Sequence, residues 1–364
     1  MATFDFRAAQ ESARRDSILL VLGFVAMVLV IGAIIGTLGA VALQGEAIAA
    51  AGVAALEPAT VLGIAAAVIV GIAAVALIRI AMLGSDGAKV AQSLGGHEVT
   101  EDATNPYHRR YLNVVHEMAI AAGLPPPRAF VIKNEKGINA FAAGADPERA
   151  AVGVTHGALS KLTREELSGV VAHEMAHIAH RDTRLNTRLM GMVFGLVVLY
   201  WLGRAVMRSF MFRRWRGRGG NRSALPALVL AIGLIVVGLL GVLCGRMLQS
   251  AVSRRREALA DAGAVQFTRN PRGLANALKK IGATAEGSRV GNAHAEEARH
   301  LFFAEAAGGL AGLFATHPPL VERIRALEPG FDPASDPVWR MDDRAILQES
   351  RAELALGPWD RRNP

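Results

Sequence analysis

Along four stretches the chain drops the alternation of polar and apolar positions altogether. They cover residues 18–43, 60–83, 189–206 and 225–243. Each is close to the ~18–20 residues that a helix needs to cross a hydrocarbon layer of ~30 Å. A helix that is apolar on every face has no side to turn to water, so the pattern predicts four membrane spans in two hairpins. The first stretch follows Arg14 and Arg15 and contains Ala40-Val41-Ala42, features shared with a cleaved signal peptide. Its apolar core exceeds the ~7–15 residues of a signal sequence, and a second span follows soon after, so it reads as a retained helix.

Between and after the hairpins the pattern becomes mixed. Thr163 followed by Glu166 forms a capping box, with Thr163 as N-cap of a helix that continues through His177. Asn139 to Gly144 is short and alternating, which predicts an edge strand. The segments are 1–84 (N-terminal part and first hairpin), 85–188 (first half of a polar domain), 189–248 (second hairpin), 249–335 (second half) and 336–364 (a tail). The expected fold class is mainly α with a small β-sheet.

Composition supports a lipid environment. Hydrophobic residues make up 52% of the chain, aromatics 5% and charged residues 20%, so the apolar excess is small and aliphatic, as in helices packed in a bilayer. The net charge of +8 has no nucleic-acid motif beside it and lies largely next to the apolar segments, which points to anionic lipid and not to nucleic acid. The loop between the first two spans carries Glu46 and Glu57 but no Lys or Arg, while Arg7, Arg14, Arg15, Arg79 and Lys89 flank the hairpin. The positive-inside rule therefore puts both ends of that hairpin in the cytoplasm. Arg208, Arg213, Arg214, Arg216, Arg218 and Arg222 crowd the loop of the second hairpin, against the same count, which places that loop outside. Cys244 is the only cysteine, which excludes a disulfide framework or CxxC site; in an apolar run it reads as a buried, inert thiol.

The candidate chemistry is His173-Glu174-Met175-Ala176-His177. On a helix the two histidines share a face one turn apart and reach one metal ion, with Glu174 beside a metal-bound water, the arrangement of zinc peptidases. A third ligand is needed. His180 and Thr183 occupy the positions where another zinc-site variant requires Gly and His, so that variant fails. Glu257-Ala258-Leu259-Ala260-Asp261 supplies the other solution: Glu257 as ligand and Asp261, one turn on, accepting the free N–H of a ligand histidine. His180 itself reads as a solvated or hydrogen-bonded residue. Polar flanks at 163–166 and at Arg181-Asp182 place this helix outside the hydrocarbon, and the hairpin between His177 and Glu257 predicts a site beside the membrane surface.

These residues resemble the HtpX family of bacterial membrane metalloproteases and, more distantly, the CAAX prenyl endopeptidases. Asn105-Pro106-Tyr107 through Leu124-Pro125, Asn139 to Gly144, His173 to Asp182, Glu257 to Asp261 and Thr316-His317-Pro318-Pro319 with Arg323 carry the resemblance. It implies a zincin-type, gluzincin-like domain holding one Zn2+, with His317 and Arg323 as candidates to stabilise the oxyanion. It implies that Asn139, Ala140, Phe141 and Ala142 pair with an extended substrate. It further implies protein quality control on membrane or unfolded proteins, at the inner membrane, with the active site on the cytoplasmic side. The arginine-rich loop and the tail depart from the family's pattern.

The orientation is directly measurable. With Cys244→Ser as background, Ala50→Cys in the first loop is modified by a membrane-impermeant maleimide in intact cells whose outer membrane has been made permeable. Labelling only after lysis would reverse the orientation.

Overall fold

The structure, a computed structural model, describes residues 6–83, 86–215, 224–284, 287 and 318–355. His317, residues 216–223 of the arginine-rich loop and the last nine residues of the tail lie outside the described residues. The helices are α1 (Phe6–Leu43), α2 (Gly45–Ala51), α3 (Pro58–Leu83), α4 (Gly87–Ser93), α5 (Pro106–Ala122), α6 (His156–Lys161), α7 (Arg164–Ala179), α8 (Asp182–Trp215), α9 (Ala224–Thr268), α10 (Pro271–Ala283), α11 (Leu320–Leu327) and α12 (Asp343–Ala355). The strands are β1 (Gly96–Glu98), β2 (Arg128–Ile132), β3 (Ala140–Ala143) and β4 (Ala151–Thr155). The chain is thus mainly α with one small sheet.

Two compact units emerge. One comprises Arg14–Leu83 and Thr187–Gln249; the other comprises Met1–Ala13, Gly84–Asn186 and Ser250–Pro364. In the first, α1, α3, α8 and α9 supply four helices long and apolar enough to cross a membrane. Phe24, Ile31, Ile35, Ile72, Leu196 and Leu234 form its interior. Association of helices in lipid depends on close backbone approach, and small residues permit it. A Cβ at Gly36 would lie 2.6 Å from the Val61 carbonyl oxygen, and one at Gly238 would lie 2.7 Å from the Tyr200 nitrogen. Leu22, Val30, Leu62, Val70 and Leu240 point outward, leaving the apolar outer surface that a bilayer covers. Cys244 is among these exposed positions, so the expectation of a buried thiol fails: an apolar sequence context marks a lipid-facing side as readily as a core.

Helix lengths also differ from expectation. The fourth apolar run is part of α9, a single helix of 45 residues that also carries Glu257 and Asp261. No proline interrupts it between Pro226 and Pro271, so nothing breaks the backbone ladder where the sequence reading placed a boundary.

In the second unit the sheet order is β1-β2-β4-β3. β2 and β4 are parallel, β1 is antiparallel to β2 and β3 is antiparallel to β4. Among the described residues β3 lies at the edge of the sheet, but it is buried along its whole length and lacks the expected alternation. Phe141 is fully buried on it, stacked where Gly153 of β4 lacks a side chain.

α7 is the centre of this unit. The capping box is present: the Thr163 hydroxyl accepts from the Glu166 amide, and the Glu166 carboxylate accepts from the Thr163 amide. From Glu166 to Ala176 every residue is buried, and a helix without a polar face must be enclosed on all sides. α5, α10 and β3 enclose it. Gly169 lets α10 pass so closely that a Cβ there would lie 2.5 Å from the Leu274 amide nitrogen. Burial extends to charge. Lys280, fully buried on α10, meets Glu166 at 2.6 Å and Glu349 of α12 at 2.8 Å. Glu353 of α12 accepts from the Arg164 amide at 2.6 Å, and the Ser350 hydroxyl donates to the Leu162 carbonyl at 3.0 Å. Part of the presumed tail therefore packs as a helix on α6 and the start of α7.

A buried ion pair with one partner removed costs about 3–5 kcal/mol. Lys280→Met should destabilise the protein by about that amount in thermal or chemical unfolding. Adding Glu166→Gln should recover part of the loss.

Candidate metal centre

α7 projects His173 and His177 from one face, and α9 brings Glu257 opposite them. Their donor atoms all lie within 4.8 Å of one another. The Nε2 atoms of the two histidines are 3.0 Å apart. Glu257 stands 3.6 Å from His173 Nε2 and 3.4 Å from His177 Nε2. Donors bound to one tetrahedral zinc at ~2.0–2.1 Å lie about 3.3 Å apart, so this triangle has the dimensions of one face of a zinc site.

Hydrogen bonding explains why those two nitrogens face each other. His173 Nδ1 lies 2.9 Å from Asp261 Oδ1, and His177 Nδ1 is hydrogen-bonded to Asp182 at 2.8 Å. With both Nδ1 atoms carrying the proton, each neutral ring turns an Nε2 lone pair toward the same point. Two lone pairs at that separation require a cation or a proton between them. The donor set of two histidines and a glutamate is that of a catalytic zinc site.

Each orienting carboxylate is itself held by an arginine. Arg323, buried on α11, donates to Asp261 through Nε at 2.9 Å and through Nη2 at 2.6 Å, and its Nη1 lies 3.4 Å from Glu257. Arg256 pairs with Asp182 and also donates to the His180 carbonyl at 2.9 Å. Arg181, between α7 and α8, has φ of 57°. A left-handed residue without glycine is costly and persists only where its surroundings enforce it. Here it ends α7 and starts α8 at Asp182, which lies within hydrogen-bond reach of His177.

Burial sets the protonation landscape. His173 is fully buried, which pushes its pKa down to about 4. Burial also works against a charge on His177, but hydrogen bonds to Asp182 and Glu257 outweigh it and raise its proton affinity. Glu174 is pushed up to about 8 by burial. Its Oε1 has no protein hydrogen-bond partner, and the Ala142 amide of β3 is a hydrogen-bonding neighbour of its carboxylate. A buried carboxyl beside the donor triangle, with one oxygen unused, suits a group that handles the proton of a water.

The sequence profile of peptidase family M48 matches residues 107–329, a span that contains every residue of this cluster. The chain belongs to peptidase family M48. Among relatives, a protease HtpX homolog of Caldanaerobacter subterraneus subsp. tengcongensis is 42% identical over 221 residues, 59% of this chain and 70% of that protein. A protease HtpX homolog of Dictyoglomus thermophilum is 42% identical over 217 residues, 59% of this chain and 67% of that protein. One from Streptococcus pneumoniae is 34% identical over 246 residues, 66% of this chain and 79% of that protein. The chain is an HtpX-like M48 metalloprotease with membrane-spanning helices, and the family implies a metal, typically zinc.

Within this M48 site, His173, His177, Glu257, Glu174 and Asp261 converge. Arg323 is brought to the same cluster, but its guanidinium is turned to the carboxylates of Asp261 and Glu257. Asn139 pins the start of β3: its amide donates to the Thr155 hydroxyl at 3.0 Å, and its side-chain oxygen accepts from the Ala140 amide at 2.9 Å. Ala140, Phe141 and Ala142 have buried side chains, so only their backbone can meet another chain. His180 caps α7, half-buried, and its carbonyl takes the Arg256 hydrogen bond.

Sequence reasoning missed Asp182 and Arg256. One signal was legible: no Asp or Glu occurs between Asp182 and Glu257. In sequence the flank Arg181-Asp182 reads only as polar and outside the hydrocarbon, with no role for Asp182, which is 3% exposed.

Loss of a partner that orients a metal-bound histidine costs about 10–100-fold in metal affinity. Asp182→Asn should weaken zinc binding by about that factor in chelator competition. Unchanged affinity would show that His177 needs no carboxylate behind it.

Proposed function

We propose that this M48 protease is a zinc endopeptidase that cleaves membrane-embedded or unfolded proteins for quality control. The observation that carries this reading is the donor triangle of His173, His177 and Glu257 with the buried Glu174 beside it. Zinc, when bound there, supplies Lewis acidity to the scissile carbonyl and to the attacking water.

Glu174 takes the proton of that water at its carboxylate and delivers it to the leaving amine. A carboxylate within reach of both the water and the leaving amine serves as base first and acid afterwards. Asp261 and Asp182 hold the two imidazoles in the tautomer whose Nε2 faces the metal. Arg323 keeps Asp261 and Glu257 in place, and its positive charge near Glu257 limits the negative charge of the cluster. The oxyanion role falls to His317, on the family resemblance alone.

On the resemblance, Asn139 and the β3 residues Ala140, Phe141 and Ala142 pair with an extended peptide through their backbone. With the side chains of Ala140, Phe141 and Ala142 buried, recognition rests on the main chain and asks little of substrate sequence. That breadth fits damaged or unfolded proteins better than a single processed peptide. The charge balance of the first hairpin supports an inner-membrane protein whose catalytic residues face the cytoplasm.

Glu174→Gln tests the chemistry. It should keep about one zinc per chain while lowering cleavage of a model unfolded substrate such as casein by at least about 100-fold. Unchanged cleavage would remove Glu174 from the mechanism. Glu257→Ala, in contrast, should lose the metal as well as the activity.

A further inference from the structure

We infer that the end of α8 and the facing part of α9 form a binding site for one anionic phospholipid, its phosphate held by Arg204 and Arg208.

The charge pattern motivates this first. Between Asp182 and Glu257 the chain has thirteen arginines, no lysine and no acidic residue. Seven of those arginines fall between positions 204 and 222. Such a concentration at the tip of a membrane hairpin cannot be neutralised by its own segment, and the positive-inside count, which places this loop outside, leaves it unexplained there. Anionic headgroups are the abundant counter-charge at a bilayer surface.

Local geometry turns that general attraction into a site. A cavity of about 340 Å³ opens between the two helices, lined by Tyr200, Arg204, Met207, Arg208, Met211 and Ile235. Its lining joins two guanidinium groups to two flexible thioethers and a branched aliphatic side chain. That is the composition an amphiphile meets, with a phosphate at one end and an acyl chain at the other. Arg204 is pre-positioned: it donates to the Tyr200 hydroxyl at 3.0 Å and stacks over the Tyr200 and Trp201 rings at 5.7 and 5.8 Å. Stacking leaves the edge of the guanidinium plane available, and a planar fork of donors matches phosphate oxygens. Trp201 and Tyr200 are residue types that settle at the headgroup level. Arg204 and Arg208, one turn apart, can act on the same phosphate.

The occupant is a lipid and not a free anion because half the cavity is apolar. Inorganic phosphate would leave Met207, Met211 and Ile235 uncovered, whereas an acyl chain covers them. A zwitterionic lipid carries its own cation beside the phosphate and gains less from two arginines. The preference is therefore for headgroups with net negative charge, such as phosphatidylglycerol.

Native mass spectrometry of the full chain, titrated with phosphatidylglycerol or phosphatidylcholine, tests the inference. One phosphatidylglycerol should be retained in preference to phosphatidylcholine. Arg204→Gln with Arg208→Gln should weaken retention by roughly thirtyfold, the combined effect of two surface arginines. Arg246→Gln, on α9 away from the cavity lining, should leave it unchanged. Met207→Trp, which fills the apolar half and keeps both charges, should weaken it as well, a check that holds if the double variant folds poorly. Equal retention of both lipids, or retention indifferent to the double variant and to Met207→Trp, would overturn the site. Full displacement of the lipid by millimolar inorganic phosphate would also overturn it, in favour of a simple anion site.

Discussion

Everything at the centre of this molecule depends on where two imidazole protons sit. An isolated histidine can place its proton on either ring nitrogen, and the wrong choice would remove the lone pair that a metal needs. Asp261 and Asp182 bias the choice by standing 2.9 and 2.8 Å from Nδ1 of His173 and His177. The carboxylates in turn depend on Arg323 and Arg256. Two relays of arginine, aspartate and histidine converge from different elements on one point. Removing any member frees a ring to rotate or to change tautomer, so the site tolerates little slack.

That demand explains the shape of the surrounding unit. α7 carries the two histidines and Glu174, and it is buried almost throughout. A surface helix frays and breathes; one enclosed by α5, α10 and the sheet holds its side chains in fixed rotamers. Gly169 and Gly273 let α10 approach α7 at backbone distance. Buried charge completes the enclosure, since Lys280 ties α10 to the capping box of α7 and to α12 at once. The site stays open on the side of His177, which retains 16% side-chain exposure.

The apolar unit solves a different problem with different means. In lipid there is no hydrophobic gain from pairing helices, so contact relies on close packing at small residues. Its outward surface is as apolar as its interior, which is why the environment of Cys244 in sequence gave no guide to its exposure. Charge gathers where the apolar lengths end, and in the second hairpin it gathers with one sign only.

Sequence by itself determined the elements whose signals are local. Span length, the capping box at Thr163, the i and i+4 histidines and the E-x-x-x-D pair are all set by spacing along one helix, where geometry follows from periodicity. Tertiary structure alone decided the partners. Asp182 reads only as a polar flank until the left-handed Arg181 ends α7 and puts it within reach of His177. That the Arg323 guanidinium meets the carboxylates of Asp261 and Glu257 appears only once α11 docks. Glu257 looked separate from the fourth apolar run until both proved to lie on one helix. Residues 336–355 read as a tail until α12 met Lys280. Asp182 meets His177 only five residues away, across the turn at Arg181, whereas Arg323 and Lys280 meet carboxylates distant in sequence, and the energy comes from desolvated charges finding one another. Spacing along the chain carries no record of that meeting.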